Sequence, residues 1–228
     1  MKRSEINALV ADSIEFIEAM HSRVPPWVRW DLDKWKEHRK DVAGIIDSML
    51  GWDITDFGSG DFSARGLIML TLRNGNLAKE VEHPKMYAEK LLITRENQVT
   101  PRHFHWSKME DIINRGGGNL IVHVWGSTDS GELSTEDVVV SVDGIPRTVE
   151  AGGTVTLPPG ESITLTPGMY HKFYGEPGTG KILLGEVSSV NNDTNDNRFY
   201  ELLPRFPEID PDEPPKYPLI TEYKQLLW

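Results

Sequence analysis

Residues 4–22 carry Ile6, Leu9, Val10, Ser13, Ile14, Ile17 and Met20 at helical spacing, which predicts an amphipathic helix. Ser4 is placed to cap it, and Pro25-Pro26 to stop it. A second, short helix is predicted around Asp33–His38, and another turn or two before Gly51. The pattern changes at Gly66. From there to about residue 190, short apolar runs (GLIMLTL, YAEKLLIT, NLIVHVWG, VVVSVDG, GTVTLPPG, SITLTPG, KILLGEVSS) alternate with Gly, Pro, Asn and Asp. Short β-branched runs with regular turn signals predict an antiparallel sandwich or barrel. Residues 204–218 hold Pro204, Pro207, Pro211, Pro214, Pro215 and Pro218, an extended strap. Tyr223 and Trp228 beyond it are expected to dock on the β-rich body or on a partner subunit. The chain thus divides into a helical or irregular extension (1–65), a β-rich body (66–200) and a strap (201–228), together one domain.

Composition narrows the function classes. A formal net charge of -11 over 228 residues argues against nucleic acid and anionic membranes, both of which need clustered Lys and Arg. No apolar stretch is long enough for a signal peptide or a membrane span. The expectation is a soluble, cytoplasmic protein. With no cysteine, any metal must be held by His, carboxylate or amide oxygen.

The chemistry concentrates in Pro101-Arg102-His103-Phe104-His105-Trp106-Ser107-Lys108-Met109-Glu110. In a strand His103 and His105 point to one face and can reach one ion. Glu110 follows across a turn and can fold back, ahead of Gly116-Gly117-Gly118. Pro167-Gly168-Met169-Tyr170-His171 opens another strand, and His171 supplies a third imidazole if the strands lie side by side. Three imidazoles and a carboxylate suit Mn, Fe, Co, Ni or Zn better than Mg or Ca. His123 lacks a partner motif and is read as a non-ligand; His21, His38 and His83 are read as surface residues.

The two segments resemble the two motifs of the cupin superfamily, which implies an all-β fold, a jelly-roll barrel over 66–200 carrying the N-terminal extension and the strap. Gly117 fits the first motif. In the second, Pro167-Gly168 stands for a Pro-x-Gly and Gly175 for a trailing Asn. Tyr87-Ala88-Glu89-Lys90, QVTP leading into HFHWSKMEDIINRGGG, PGMYHKF and GEVSSVNNDTNDNRF narrow the resemblance to the D-lyxose isomerase family, over most of the chain. That resemblance implies interconversion of D-lyxose and D-xylulose, often of D-mannose and D-fructose, a divalent ion such as Mn(II), and a homodimer.

Such a reaction moves hydrogen between C2 and C1, so it needs a titratable group beside the metal ligands. Glu186, in the late strand KILLGEVSS, is the first candidate base. Lys90 interrupts an apolar strand, and the resemblance favours its inward orientation, where an ammonium steadies a developing oxyanion. Asp193 is a third candidate, for orienting hydroxyls or moving their protons. Tyr87, Phe104, Trp106 and Tyr170 are read as packing residues rather than sugar platforms. A hydride shift competes with proton transfer. The rival classes are a cupin Fe(II) dioxygenase and a non-catalytic sugar- or metal-binding cupin.

Overall fold

The computed structural model describes residues 1–192 and 195–228. Helix α1 spans Arg3–Ala19, and α2 (Leu32–Glu37) and α3 (Ala43–Asp47) follow it. The strands are β1 (Gly51–Thr55), β2 (Leu67–Arg73), β3 (Tyr87–Thr94), β4 (Thr100–His105), β5 (Glu110–Gly117), β6 (Leu120–Trp125), β7 (Val138–Val142), β8 (Ile145–Val149), β9 (Thr154–Leu157), β10 (Ser162–Leu165), β11 (Tyr170–Gly175), β12 (Ile182–Ser189) and β13 (Asn197–Phe199). A last short helix, α4, covers Tyr223–Leu227. The strands form two antiparallel sheets. The larger has the order β1-β2-β3-β12-β5-β10-β7-β8, and the smaller β13-β4-β11-β6-β9.

Alternation along the strands explains both cores. On β2, β3 and β12, Leu67, Met69, Leu92, Ile182 and Leu184 face the smaller sheet and pack with its Val122, Val124, Val155 and Phe173. The intervening Ile68, Leu70, Leu91, Ile93 and Leu183 face the opposite way, onto Ile6, Leu9, Val10 and Ile17 of α1. Strands buried on both faces read as continuous apolar runs, which is why LIMLTL and KLLIT lack a period of two. Lys90 shares its face with Leu92, and Glu186 shares its face with Leu184. Both charged side chains therefore point between the sheets.

The sheet begins ahead of Gly66. Residues 51–55 fall in the stretch expected to be irregular, yet they form β1, paired with β2 from Gly51↔Thr71 to Thr55↔Leu67. GWDIT is buried throughout and shows no alternation from which a strand could be read. Ser4 does not cap α1. Lys2 holds the cap position, and the Ser4 N–H and hydroxyl both donate to Asp212, at 2.9 and 2.6 Å. That contact belongs to the strap, which lies along α1. Asp210 bridges to Lys2, Asn7 donates to Glu213 at 2.6 Å, and Arg3 pairs with Glu222.

Tyr223 is buried with Trp35, Val42, Ile220 and Leu227, and its hydroxyl donates to the Leu50 carbonyl at 2.8 Å. Trp228, also expected to dock, is 72% exposed. Gly51 makes the Tyr223 seat possible. Its φ is +134°, and a Cβ there would lie 2.0 Å from the Tyr223 hydroxyl oxygen. Gly51→Ala is therefore expected to cost about 3 kcal/mol, combining backbone strain with a displaced buried hydroxyl. Urea unfolding reads it directly, and an unchanged midpoint would refute this account of the tail's anchorage.

Candidate active site

Two neighbouring strands of the smaller sheet and three of the larger one supply the histidines, Glu110, Glu186 and Lys90 of one cavity. His103 and His105 sit two residues apart on β4. Register places His171 of β11 directly opposite His103. Their ring centroids are 4.2 Å apart, and donor nitrogens of the three imidazoles all lie within 4.8 Å of one another. Glu110 starts β5 in the facing sheet. Its Oε1 is 3.4 Å from His105 Nε2 and 3.3 Å from His171 Nε2. Glu186 on β12 pairs in register with Lys90 on β3, and their charged groups are 3.1 Å apart. Met69, Leu92, Ile112, Phe173 and Phe199 form the apolar walls of the cavity.

Two of the imidazoles carry hydrogen bonds that suit a metal ligand. His103 Nδ1–H donates to the Pro101 carbonyl at 2.8 Å, and His171 Nδ1–H to the Met169 carbonyl at 3.1 Å. A hydrogen bond from one ring nitrogen fixes the tautomer and leaves the other nitrogen's lone pair for a metal. His171 Nε2 is buried without a hydrogen-bond partner among the described residues. Burial, then repulsion from His171 and His105, holds His103 well below the usual histidine range. Burial also lowers His105, against the pull of Glu110. Burial pushes the Glu110 carboxyl up, but the Lys108 ammonium and His105 outweigh it and hold it well below the usual carboxylate range. Neutral imidazoles beside an ionised carboxylate are the donor set a divalent ion requires, so these residues fit a metal.

The same shifts predict acid sensitivity. The unfolded chain takes up protons on His103 and His105 below their ordinary value of 6.5, whereas the fold keeps them neutral to lower pH. Glu110, with its folded pKa depressed below 4.5, adds stability that is lost as pH falls further. Both effects have one sign. Metal-stripped protein is expected to lose unfolding free energy continuously from about pH 6.5 downward. A urea midpoint that stays flat as the pH is lowered through that range would contradict it.

Lys108 is a part of the site that the sequence did not mark. It is 3% exposed on its side chain, with its ammonium 2.5 Å from Glu110 Oε2 and 2.9 Å from Glu186 Oε1. Its position inside HFHWSKME was the available signal, but a lysine in a turn ordinarily reads as solvated. Asp196 fixes that turn, accepting from the Ser107 N–H at 2.8 Å, the Ser107 hydroxyl at 2.7 Å and the Lys108 N–H at 3.1 Å. Arg205, from the strap, also lines the cavity and donates to Asp53 of β1 at 2.6 Å.

The other named residues lie elsewhere. Asp193 is outside the described residues. His123 points away from the cavity, with its Nδ1 2.9 Å from the Gly152 carbonyl oxygen. His21 is exposed, but His38 and His83, read as surface residues, are only half-exposed: His38 stacks on Trp30 and His83 reaches Asp47 at 3.4 Å. Tyr87 and Trp106 are largely exposed, whereas Phe104 and Tyr170 are fully buried. None of these four lines the cavity. Among the described residues, no helix is long and apolar enough to cross a membrane.

Two facing antiparallel sheets with three histidines converging between them define a cupin-like protein whose site could hold a metal ion. The profile of the D-lyxose isomerase family matches residues 1–223, and the chain belongs to that family. It is 46% identical over 228 residues to the D-lyxose/D-mannose isomerase of Escherichia coli O157:H7, covering 99% of each chain. It is 45% identical to the enzyme of the same name from Serratia proteamaculans over the full length of both. The L-ribose isomerase of Acinetobacter sp. DL28, in complex with L-ribose, has a similar fold: TM-score 0.59 at 16% identity, covering 89% of this chain and 93% of that one. The protein is an enzyme, a sugar isomerase. The dioxygenase and non-catalytic readings fall with that membership.

Proposed function

We propose that the enzyme is a metal-dependent aldose–ketose isomerase that interconverts D-lyxose and D-xylulose, and D-mannose and D-fructose, by proton transfer between C2 and C1. The carrying observation is the placement of the Glu186 carboxylate in the same cavity as the histidine cluster, held between two ammonium groups. The names of the two relatives above 40% identity support the sugars. His103, His105, Glu110 and His171 would hold one divalent ion, Mn(II) by preference. When bound, that ion would polarise the sugar carbonyl and stabilise enediolate charge.

The protein's own groups do the rest. Glu186 takes the proton from C2 of the open-chain aldose and returns it to C1, as a general base and then a general acid. One hydroxyl proton must also pass from O2 to O1 for the ketose to form. Lys90, and Lys108 beside it, lie where an ammonium can hold the oxygen charge during that exchange. Asp193 remains a candidate for contacts with the sugar hydroxyls.

The test is to strip the protein of metal, restore Mn(II), and assay ketose formation from D-lyxose, D-mannose and D-xylose. Mn-dependent ketose from lyxose and mannose is expected. Ketose formed equally well by the stripped protein would remove the metal from the mechanism, and none from either sugar would overturn the substrates.

A further inference from the structure

Lys90 is held by a second partner besides Glu186. Its ammonium donates to Asn191 Oδ1 at 2.6 Å, from a side chain only 2% exposed. A buried ammonium needs its N–H groups satisfied, and the choice of acceptor sets how much charge survives. Glu186 contributes a negative charge. Asn191 contributes a neutral oxygen, which satisfies an N–H without further cancelling the positive charge.

Asn191 is itself fixed by Asn74, at the end of β2. Its backbone N–H donates to Asn74 Oδ1 at 2.9 Å, and its backbone carbonyl accepts from Asn74 Nδ2 at 3.1 Å. A side-chain amide offers a donor and an acceptor side by side, which this pairing requires. Asn74 is 4% exposed and is anchored in turn by a hydrogen bond from Nδ2 to the Ser48 carbonyl, at 3.3 Å. One unbroken series of contacts therefore runs from Ser48 through Asn74, Asn191 and Lys90 to Glu186.

We propose that Asn191, clamped by Asn74, is a positioning residue that holds the Lys90 ammonium against Glu186 and preserves its charge for the sugar oxygens. This rests on the isomerase reading above for its effect on turnover, but the placement of Lys90 can be read without turnover.

The variants are Asn191→Ala, Asn191→Asp and Asn74→Ala, each as the full chain loaded with Mn(II). Asn191 is half-exposed, so its variants keep the fold. Asn191→Ala is expected to lower kcat about 10- to 100-fold, the range usual for partners that orient functional groups. KM for D-mannose stays within about threefold and Mn content stays full. Asn191→Asp keeps an acceptor but adds a negative charge, so kcat falls again while the Lys90 ammonium is held more firmly. Asn74→Ala moves kcat in the same direction, by less.

The independent readout is the Lys90 ¹³Cε and ¹⁵Nζ resonances without sugar. They are expected to move from their wild-type positions in both Asn191→Ala and Asn191→Asp, because the acceptor on the ammonium changes. Unmoved Lys90 resonances would overturn the proposal whatever the kinetics, and so would a rise in KM alone, which would make Asn191 a sugar contact. Shifted resonances in a protein that turns over no sugar would uphold the clamp and sink the isomerase reading.

Discussion

Glu186→Gln is expected to lower kcat by about 10²- to 10⁴-fold, the range contributed by a positioned general base, with the metal content unchanged. The substitution keeps the size of the side chain and its carbonyl acceptor. Lys108 and Lys90, 2.9 and 3.1 Å from Glu186 Oε1, can still bond to the amide oxygen. What is lost is the ability to carry a proton between two carbons. Loss of kcat without a change in KM separates this from a damaged binding site. A variant retaining more than about a tenth of wild-type kcat would move the base elsewhere. Asp193 would then be the next residue to substitute.

The second large effect is at the metal ligands. His171→Ala removes an imidazole that is buried, fixed in tautomer by the Met169 carbonyl, and 3.3 Å from Glu110 through its other nitrogen. Metal polarisation supplies several kcal/mol of transition-state stabilisation. At about 1.4 kcal/mol per tenfold, that is on the order of 10³-fold in rate. His171→Ala is expected to lose that factor together with its Mn(II), measured by atomic emission after dialysis. Wild-type metal content with full activity would remove His171 from the ligand set. Unlike Glu186→Gln, this variant should fail in both measurements, and the contrast separates holding the ion from moving the proton.

Much of this was legible in the sequence, for identifiable reasons. The strands announced themselves through β-branched runs punctuated by turns. His103 and His105 share a face because strand side chains alternate. Lys90 and Glu186 stood out because they interrupt apolar runs, but with both faces of β3 buried the pattern left the direction of Lys90 open, and only the resemblance favoured an inward one. What the sequence hid depended on contacts between distant segments. Strand β1 is an all-buried pentapeptide that rests on pairing with β2 and on cover from α1 and the strap. Ser4 lost its capping role to Asp212, far along the chain. Lys108 lies in a turn, where a lysine is ordinarily solvated, and only its contacts with Glu110 and Glu186 reveal it as part of the site. Arg205 sits in a proline-rich strap that gives no sign of reaching the cavity, and its partner Asp53 lies on the strand that was not foreseen.

The central claim, that Glu186 moves a proton between C2 and C1, is tested most directly by running the Mn(II)-loaded enzyme on D-mannose in D₂O and examining the fructose by NMR. Deuterium at C1 of the product, absent when Glu186→Gln stands in for the wild type, is the predicted result. Fructose that keeps all of its hydrogen at C1, formed at an undiminished rate, would contradict the claim and point to a hydride shift instead.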